Sequence, residues 1–283
     1  MNGFINILKP SGMTSAAAVA KVRGKLKCHC GHMGTLDPKA EGVLPVAIGK
    51  TCRLFDFLLE KEKIYTARFK FGYLTDTLDK TREVTMQGGR IPTLSEIQAV
   101  LPNFIGDIMQ VPPKYSAKCV NGKRGYQLAR KGVEFDLPAK MVNILNLTII
   151  SYENGVLELQ IRCKGGTYVR SIGRDIATAL NTVCTMEALR RDASGIFTME
   201  NGGWANDLAG LVEVEKYIIP SDAPLTLPKV TLNAEHTFRI KNGLKRITKL
   251  KEGFYSLYSP TTFIGVGESK DGLLGIKAYI MEE

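Results

Sequence analysis

The sequence predicts a mixed α/β protein with a small β-rich module near its C-terminal end. Strand-like and helix-like apolar patterns alternate over the first 200 residues. The Asn154-Gly155 pair between two apolar stretches is typical of a tight antiparallel hairpin. A Pro-rich segment at 219–228 is followed by short strand-like pieces, which indicates a linker and a separate module. At 283 residues and 44% hydrophobic, the chain can bury one large core and a small one.

The N-terminal elements follow from local patterns. Residues 4–8 form an apolar run that predicts a buried strand, and Ser15 can cap a helix that runs to about Leu26. Residues 64–71 alternate between apolar and polar side chains, with Tyr65 on the apolar side. This alternation predicts a strand with one buried face.

The middle of the chain predicts a short helix and then an exposed arm. Residues 93–100 favour a helix capped by Thr93 or Ser95. After Pro112 and Pro113, cations and aromatic rings interleave as in single-stranded or loop RNA binders. These residues are Lys114, Tyr115, Lys118, Lys123, Arg124, Tyr126, Arg130 and Lys131. An ordinary charged surface loop is an equally open interpretation.

The segment 145–180 predicts a hairpin followed by a helix. Residues 145–150 and 156–163 are the two apolar strands of the hairpin, and a helix is expected over 168–180. Arg170 and Arg174 lie four residues apart on that helix and so share a face. They can point at a phosphate or a carboxylate, or form an exposed basic stripe.

The C-terminal residues predict a small β-barrel-like module. Five short strands are expected, separated by turn-forming pairs at Asn242-Gly243 and Asp271-Gly272. The expected strands cover residues 230–232, 237–240, 254–258, 263–266 and 275–280. The sequence contains no dinucleotide-binding fingerprint and no Walker loop, so no nucleotide cofactor is expected.

Charge and cysteine usage indicate a polyanionic partner and reduced thiols. The chain has 38 Lys and Arg against 28 Asp and Glu, a formal charge of +10, which favours association with nucleic acid. No apolar run is long enough to span a bilayer and no signal peptide is recognisable, so a cytoplasmic protein without a membrane partner is expected. Cys28, Cys30 and His32 lie too close together for structural zinc spacing, so no metal is expected.

The segment 31–38, Gly-His-Met-Gly-Thr-Leu-Asp-Pro, is the most informative stretch. Pro38 disfavours a helical conformation at Asp37, and the glycines permit unusual backbone angles, so the carboxylate is held in a constrained turn beside a histidine. Alternatively, Asp37 caps a helix with Pro38 at the first helical position. On these eight residues alone, the cap is the favoured interpretation.

Several separated motifs, taken together, resemble the bacterial tRNA pseudouridine synthases of the TruB family. The matching pieces are Lys-Pro-Ser-Gly-Met-Thr-Ser at 9–15, residues 31–45 around Asp37, the Tyr65 strand, Thr-Asp-Thr at 75–77, Tyr-Ser-Ala at 115–117, Lys-Gly-Gly-Thr-Tyr-Val-Arg at 164–170 and Leu-Arg-Arg at 189–191. They occur in order across most of residues 1–200. Residues 80–82 are Lys-Thr-Arg where the family pattern has a glycine, which weakens any role for the preceding acidic loop.

The resemblance implies an enzyme that converts uridine 55 in the T-arm of tRNA to pseudouridine, with neither metal nor organic cofactor. Asp37 would be the essential carboxylate, through attack on ribose C1′, addition to base C6, or a glycal route. Arg170 would pair with Asp37 and favour its ionised form. Tyr65 would stack on the target base and take part in removing the C5 proton.

The resemblance also implies the other contacts to the RNA and the domain organisation. His32 would brace the space left when the target uridine is flipped out of its stack. Tyr168 and Leu189 would line the uracil pocket, and Lys9 would belong to the substrate-binding set. The expected catalytic domain, at 1–222, is of pseudouridine synthase type and is built on a mixed, largely antiparallel sheet. It contains a thumb-like RNA-binding insertion at about 112–138. A PUA-like RNA-binding domain is expected at 228–283.

Two other functions compete with this interpretation. The enzyme itself is expected to be a monomer. A non-catalytic tRNA-binding protein or tRNA folding chaperone also explains the charge and the aromatic arm. A metal-dependent RNA hydrolase using Cys28, Cys30 and His32 lacks a plausible ligand set.

Overall fold

The computed structural model describes residues 1–58, 61–116, 119–120, 122–204 and 214–281. The strands are β1 (Gly3–Lys9), β2 (Cys30–His32), β3 (Glu41–Ile48), β4 (Lys63–Phe71), β5 (Tyr73–Thr75), β6 (Val84–Gln87), β7 (Gly106–Gln110), β8 (Cys119–Val120), β9 (Lys123–Arg124), β10 (Lys140–Glu153), β11 (Val156–Cys163), β12 (Cys184–Ser194), β13 (Phe197–Thr198), β14 (Gly203–Trp204), β15 (Lys229–Thr231), β16 (Arg246–Ile247), β17 (Gly253–Tyr258), β18 (Phe263–Lys270) and β19 (Leu273–Tyr279). The α-helices are α1 (Ser15–Leu26), α2 (Leu94–Val100), α3 (Gly125–Arg130), α4 (Val169–Ala179) and α5 (Ala234–Lys241). Short 3-10 helices cover Gly49–Phe57, Leu101–Phe104 and Val214–Tyr217.

The chain divides into two compact units. Unit 1 comprises Met1–Asp37, Val43–Leu59 and Gly195–Glu283. Unit 2 comprises Pro38–Gly42 and Glu60–Ser194. The boundary between Asp37 and Pro38 falls inside the segment that the sequence singles out. The predicted domain boundaries at 222 and 228 stay a prediction.

Unit 2 is built on an antiparallel sheet with strand order β12-β4-β11-β10-β7. The β10–β11 hairpin turns at Asn154 (φ 50°) and Gly155 (φ 71°), the left-handed angles that an Asn-Gly turn supplies. Strand β4 buries alternate residues, including Tyr65 and Phe69. Helix α4 lies so close to this strand that a Cβ on Gly173 would stand 2.4 Å from the Phe69 ring. The predicted hairpin, the predicted β4 strand and the predicted α4 helix are confirmed.

Unit 1 contains two sheets. In one, β1 lies between its parallel partner β14 and β3, and β2 pairs antiparallel with β3. In the other, the strand order is β15-β17-β18-β19-β16. Phe4, Leu54, Val266 and Ile280 belong to one buried apolar cluster. The N-terminal strand and the C-terminal sheet therefore share a core.

One predicted strand is wrong, because residues 237–240 lie within helix α5. Asn233 caps this helix by accepting a hydrogen bond from the His236 amide at 2.8 Å. Glu235 lies in its first turn, and Arg239 and Lys241 lie in its last turn, which suits the helix dipole. The apolar residues at 237–240 suit a strand as well as a helix, but the Asn233 cap and the charge order along the sequence favour the helix.

A second correction concerns the cap of helix α1, which spans Ser15–Leu26 as predicted. The capping residue is Thr14, whose side chain accepts a hydrogen bond from the Ala17 amide at 3.1 Å. The Ser15 hydroxyl is therefore available for another partner. At helix α2, the Thr93 cap is confirmed, and Glu96 completes a reciprocal capping box.

Candidate active site

Asp37 lies in the loop between β2 and β3, and its side chain is half-buried. Pro38 and Lys39 form a turn that leads into strand β3, so no helix begins at this point. The helix-cap interpretation of Asp37 is therefore wrong. The catalytic role of Asp37 stays a prediction.

The residues directly after Asp37 approach the strand that carries Leu189. Glu41 and Gly42 pair in parallel with Arg190 and Arg191 of β12, all within unit 2. Gly42 has a φ of 98°, and a Cβ there would stand 2.3 Å from the Arg191 carbonyl oxygen. Only glycine fits this approach, because any side chain would collide with the backbone of β12.

Tyr65 lies in the middle of the unit 2 sheet. Its ring is buried, and its strand neighbours are Ile161 on β11 and Arg191 on β12. Directly opposite residues of an antiparallel pair point to the same side, so these three side chains share one face. Leu189 is also buried on β12, opposite Ala67. The predicted pocket residues Tyr65 and Leu189 thus occur on two neighbouring strands.

Arg170 is a buried cation in the first turn of α4, with 6% of its surface exposed. Its guanidinium donates to the carbonyl oxygens of Thr77 at 3.0 Å and Tyr115 at 3.1 Å. The Asp79 carboxylate lies 3.8 Å away and is itself 8% exposed. The interpretation of Arg170 as part of an exposed basic stripe is wrong. Its pairing with Asp37 stays a prediction.

Asp79 is a residue that the sequence reasoning undervalued. Its Oδ1 accepts hydrogen bonds from the Thr77 hydroxyl and the Thr81 amide, each at 2.9 Å, while Oδ2 faces Arg170. A buried charge is tolerated when it is paired and hydrogen-bonded, and this carboxylate meets both conditions. The Thr-Leu-Asp order at 77–79 was a usable signal, because a Thr two residues before an Asp can satisfy it locally.

Tyr168 immediately precedes helix α4, and its backbone is held from both sides by one side chain. The Gln110 carboxamide accepts from the Tyr168 amide at 2.8 Å and donates to the Tyr168 carbonyl at 3.2 Å. Gln110 is 1% exposed. This buried glutamine, which the sequence did not reveal, fixes the point from which the Tyr168 ring projects.

His32 and Lys9 both belong to unit 1. His32 is half-buried at the end of β2, opposite Val46. Lys9 is fully buried, and its ammonium donates to the carbonyl oxygens of Met13 at 2.7 Å and Pro10 at 3.0 Å. Lys9 thus stabilises the turn before α1. The substrate-binding roles of both residues stay predictions.

The arm begins in a polar cluster around Tyr115. The Tyr115 hydroxyl donates to the Asp76 carboxylate at 2.9 Å and accepts from Arg82 at 2.8 Å, and the Arg82 guanidinium lies 5.0 Å from the Tyr115 ring centre. Arg82 also pairs with Asp76 at 3.0 Å. Lys118 lies outside the described residues, as do the side chains of Lys123, Arg124, Tyr126 and Arg130.

Lys63 begins strand β4, opposite Cys163 on β11. Burial, and to a smaller extent the nearby Arg191 guanidinium, together lower the pKa of Lys63 to about 8. Burial also raises the pKa of Cys163 to about 11. Two cations therefore lie close together in a poorly solvated region that also contains Tyr65.

The cysteine-rich segment does not form a metal centre among the residues that the structure describes, where no group of three or more His, Cys, Asp or Glu side chains is arranged to hold an ion. The Cys28 and Cys30 sulfur atoms are 3.9 Å apart. Burial and the neighbouring thiols raise the pKa of Cys30 to about 12, so it remains a neutral thiol. No helix in the described ranges combines the length and apolar character needed to cross a bilayer.

Comparison with known proteins settles the family. A family model described as TruB family pseudouridylate synthase (N terminal domain) matches residues 21–169. The chain belongs to the TruB family. It is 38% identical over 280 residues to tRNA pseudouridine synthase B of Clostridium kluyveri, covering 96% of each chain. It is 42% identical over 244 residues to the protein of the same name from Synechocystis sp., covering 83% of this chain and 82% of that one.

A solved structure shares the fold. The fold matches a chain in the crystal structure of a Cbf5-Nop10-Gar1 complex with a TM-score of 0.73 and 25% identity, covering 99% of this chain and 84% of that one. Family and fold confirm the predicted fold class and the predicted activity, which is isomerisation of uridine in RNA to pseudouridine. The non-catalytic RNA-binding alternative is not favoured.

Proposed function

We propose that the protein isomerises uridine 55 in the T-arm loop of tRNA to pseudouridine, and that Asp37 is the carboxylate that drives the reaction. The names of the relatives support tRNA as the substrate. In the reaction the N1–C1′ bond breaks, the uracil turns, and the C5–C1′ bond forms. C5 then loses its proton, and N1 carries a proton in the product. No oxidant, reductant or metal enters this balance.

The observation that carries the proposal is the course of the chain after Asp37. Pro38 to Gly42 lead to Arg190 and Arg191 of β12, and Arg191 lies opposite Tyr65 on β4. This course of the chain supports the proposal that the Asp37 carboxylate reacts with the nucleotide whose base stacks on Tyr65. Tyr65 then also serves in removing the C5 proton, directly or through water.

The remaining predicted residues take supporting roles in the same proposal. Arg170 pairs with Asp37 and keeps it ionised, while Tyr168 and Leu189 line the uracil pocket. His32 braces the space that the flipped nucleotide leaves, and Lys9 supports substrate binding through the turn it stabilises.

The overall organisation is part of the same proposal. The enzyme acts as a cytoplasmic monomer without a cofactor. Residues 1–222 are the catalytic domain, the insertion at about 112–138 closes on the T-loop as a thumb, and 228–283 form a PUA-like RNA-binding domain.

The deciding experiment compares Asp37→Asn with the wild-type protein on unmodified tRNA. Asparagine keeps the shape and removes the charge. We expect the variant to bind a T-arm stem-loop with a Kd within about threefold of wild type, but to form no pseudouridine at a rate above about one-thousandth of wild type. Pseudouridine is mapped by carbodiimide-dependent primer extension. If primer extension on tRNA treated with the wild-type protein stops at any site other than one T-arm uridine, the substrate assignment is contradicted. Substantial isomerisation by the variant contradicts the role of Asp37.

A further inference from the structure

Ser15 contacts the residue directly before Asp37 with both of its hydrogen-bonding functions. Its hydroxyl donates to the Leu36 carbonyl oxygen at 2.9 Å and accepts from the Leu36 amide at 2.9 Å. Ser15 and Leu36 are each 3% exposed. One side chain therefore satisfies the N–H and the C=O of a single buried residue 21 positions away in the sequence.

The position of Leu36 explains why this contact matters. The hydrogen bond from the Met33 amide to Pro45 at 2.8 Å lies next to the end of the β2–β3 ladder. Residues 33–37 then belong to neither helix nor strand. A buried backbone without ladder partners needs other ones, and the Ser15 hydroxyl supplies two at Leu36. The backbone is thus fixed one peptide unit from the Asp37 Cα.

Ser15 is itself held firmly. Thr14 supplies the cap of α1, so the Ser15 hydroxyl is not needed at the helix start. The turn before the helix is fixed by the fully buried Lys9, which donates to the Pro10 and Met13 carbonyls. The run from Lys9 to Ser15 therefore connects a rigid turn, a capped helix and the Asp37 loop.

We infer that Ser15 is a positioning residue for the isomerisation: by holding both polar groups of the Leu36 backbone, it sets the direction of the Asp37 carboxylate. This inference rests on the proposed role of Asp37. Small displacements of a reacting group lower rates strongly. We expect little effect on RNA affinity, because the Ser15 side chain is buried.

The test compares Ser15→Ala with Thr14→Ala. The Thr14 variant weakens the same helix by removing its cap but leaves the Leu36 contacts intact, so it is the matched control. We expect Ser15→Ala to lower the single-turnover rate of pseudouridine formation, at saturating protein, by about 10–100-fold. The Kd for the RNA stem-loop should change by less than about twofold. Thr14→Ala should keep a rate within about twofold of wild type.

Ser15→Cys is a second variant that tests the same inference if Ser15→Ala does not fold. Sulfur fills nearly the same place but is a weaker donor and acceptor, so we expect a rate about 5–20-fold below wild type. A cysteine variant that folds and reacts at the wild-type rate overturns the inference. So does a Ser15→Ala rate that falls only as much as that of Thr14→Ala, or only in parallel with RNA affinity.

Asp37→Asn, measured in the same assay, distinguishes a failure of the Ser15 inference from a failure of the proposed role of Asp37. If that variant is inactive while the Ser15 variants react normally, only the role of Ser15 is refuted. If it isomerises uridine at the wild-type rate, the proposed function of Asp37 fails as well.

Discussion

Two ion pairs in different parts of the molecule show how differently the protein uses charge. Arg170 and Asp79 in unit 2 are 6% and 8% exposed, with a closest distance of 3.8 Å. Lys277 and Glu268 on the C-terminal sheet are 55% and 35% exposed, with a distance of 3.4 Å. Removing one partner should cost more stability in the buried pair, although its distance is longer, because no water is present to solvate the charge that remains.

The two regions also differ in which side chains they bury. The C-terminal sheet buries apolar side chains such as Leu257 and Leu274 and leaves Lys277 in solvent. Unit 2 instead buries Arg170, Asp79 and Arg191. Buried charges are costly to the fold unless they are paired and hydrogen-bonded, so we choose the residues of this region as the first ones to test for a part in the chemistry.

The largest expected effect comes from removing the buried cation. Arg170→Met keeps much of the volume but leaves Asp79 charged without its guanidinium partner, and we expect the free energy of unfolding to fall by about 3–5 kcal/mol. The rate of isomerisation should fall by at least about 100-fold, since we also propose that Arg170 pairs with Asp37 and keeps it ionised. Urea unfolding and single-turnover assays measure the two effects.

A double variant separates stability from activity. Arg170→Met with Asp79→Asn removes the orphaned charge, while the amide oxygen can still accept from Thr77 and Thr81. We expect part of the lost stability to return and the activity to remain low. Recovery of activity together with stability would show that Arg170 acts only on the fold.

An intermediate effect is expected at Lys63, whose pKa is lowered to about 8 from its ordinary 10.5. Between these values the unfolded chain binds more protons than the folded one, so the free energy of unfolding contributed by Lys63 rises with pH across this window. Below about pH 8 the cost of burying the cation is fully present, at about 3 kcal/mol for a shift of this size.

Lys63→Met removes the group that titrates. The variant should show a smaller rise in the free energy of unfolding between about pH 8 and 10.5 than the wild type, as measured by urea unfolding at several pH values. An unchanged slope would mean that the folded protein does not lower the pKa of this lysine, and would weaken the contrast between the two regions.

The smallest effect is expected at the exposed pair. Lys277→Ala should change the free energy of unfolding by less than about 1 kcal/mol, and isomerisation by less than about twofold, because solvent and salt already screen the pair. Its unfolding curve is measured beside that of Arg170→Met at low and high salt. A loss comparable with that of Arg170→Met would mean that the exposed pair stabilises the protein as much as the buried one.

Many features of the molecule follow from residues that lie close together in the sequence. Alternation and turn chemistry predicted β4, the β10–β11 hairpin and α4, because each depends on residues that are close in sequence. Several separated motifs resemble those of one family, and that resemblance implied the activity, which the comparisons confirm together with the predicted fold class. The same local reasoning failed at 237–240, where an apolar run was given more weight than the Asn233 cap.

The partners of the important polar groups, in contrast, depend on how the chain packs. Asp79 faces Arg170 across 91 positions, Gln110 holds Tyr168 across 58, and the Ser15 hydroxyl holds Leu36 across 21. Whether Asp37 caps a helix was likewise settled by the strand that follows it. Local patterns report periodicity and turns, whereas a hydrogen bond between distant residues exists only once packing brings its two ends together and excludes water from both.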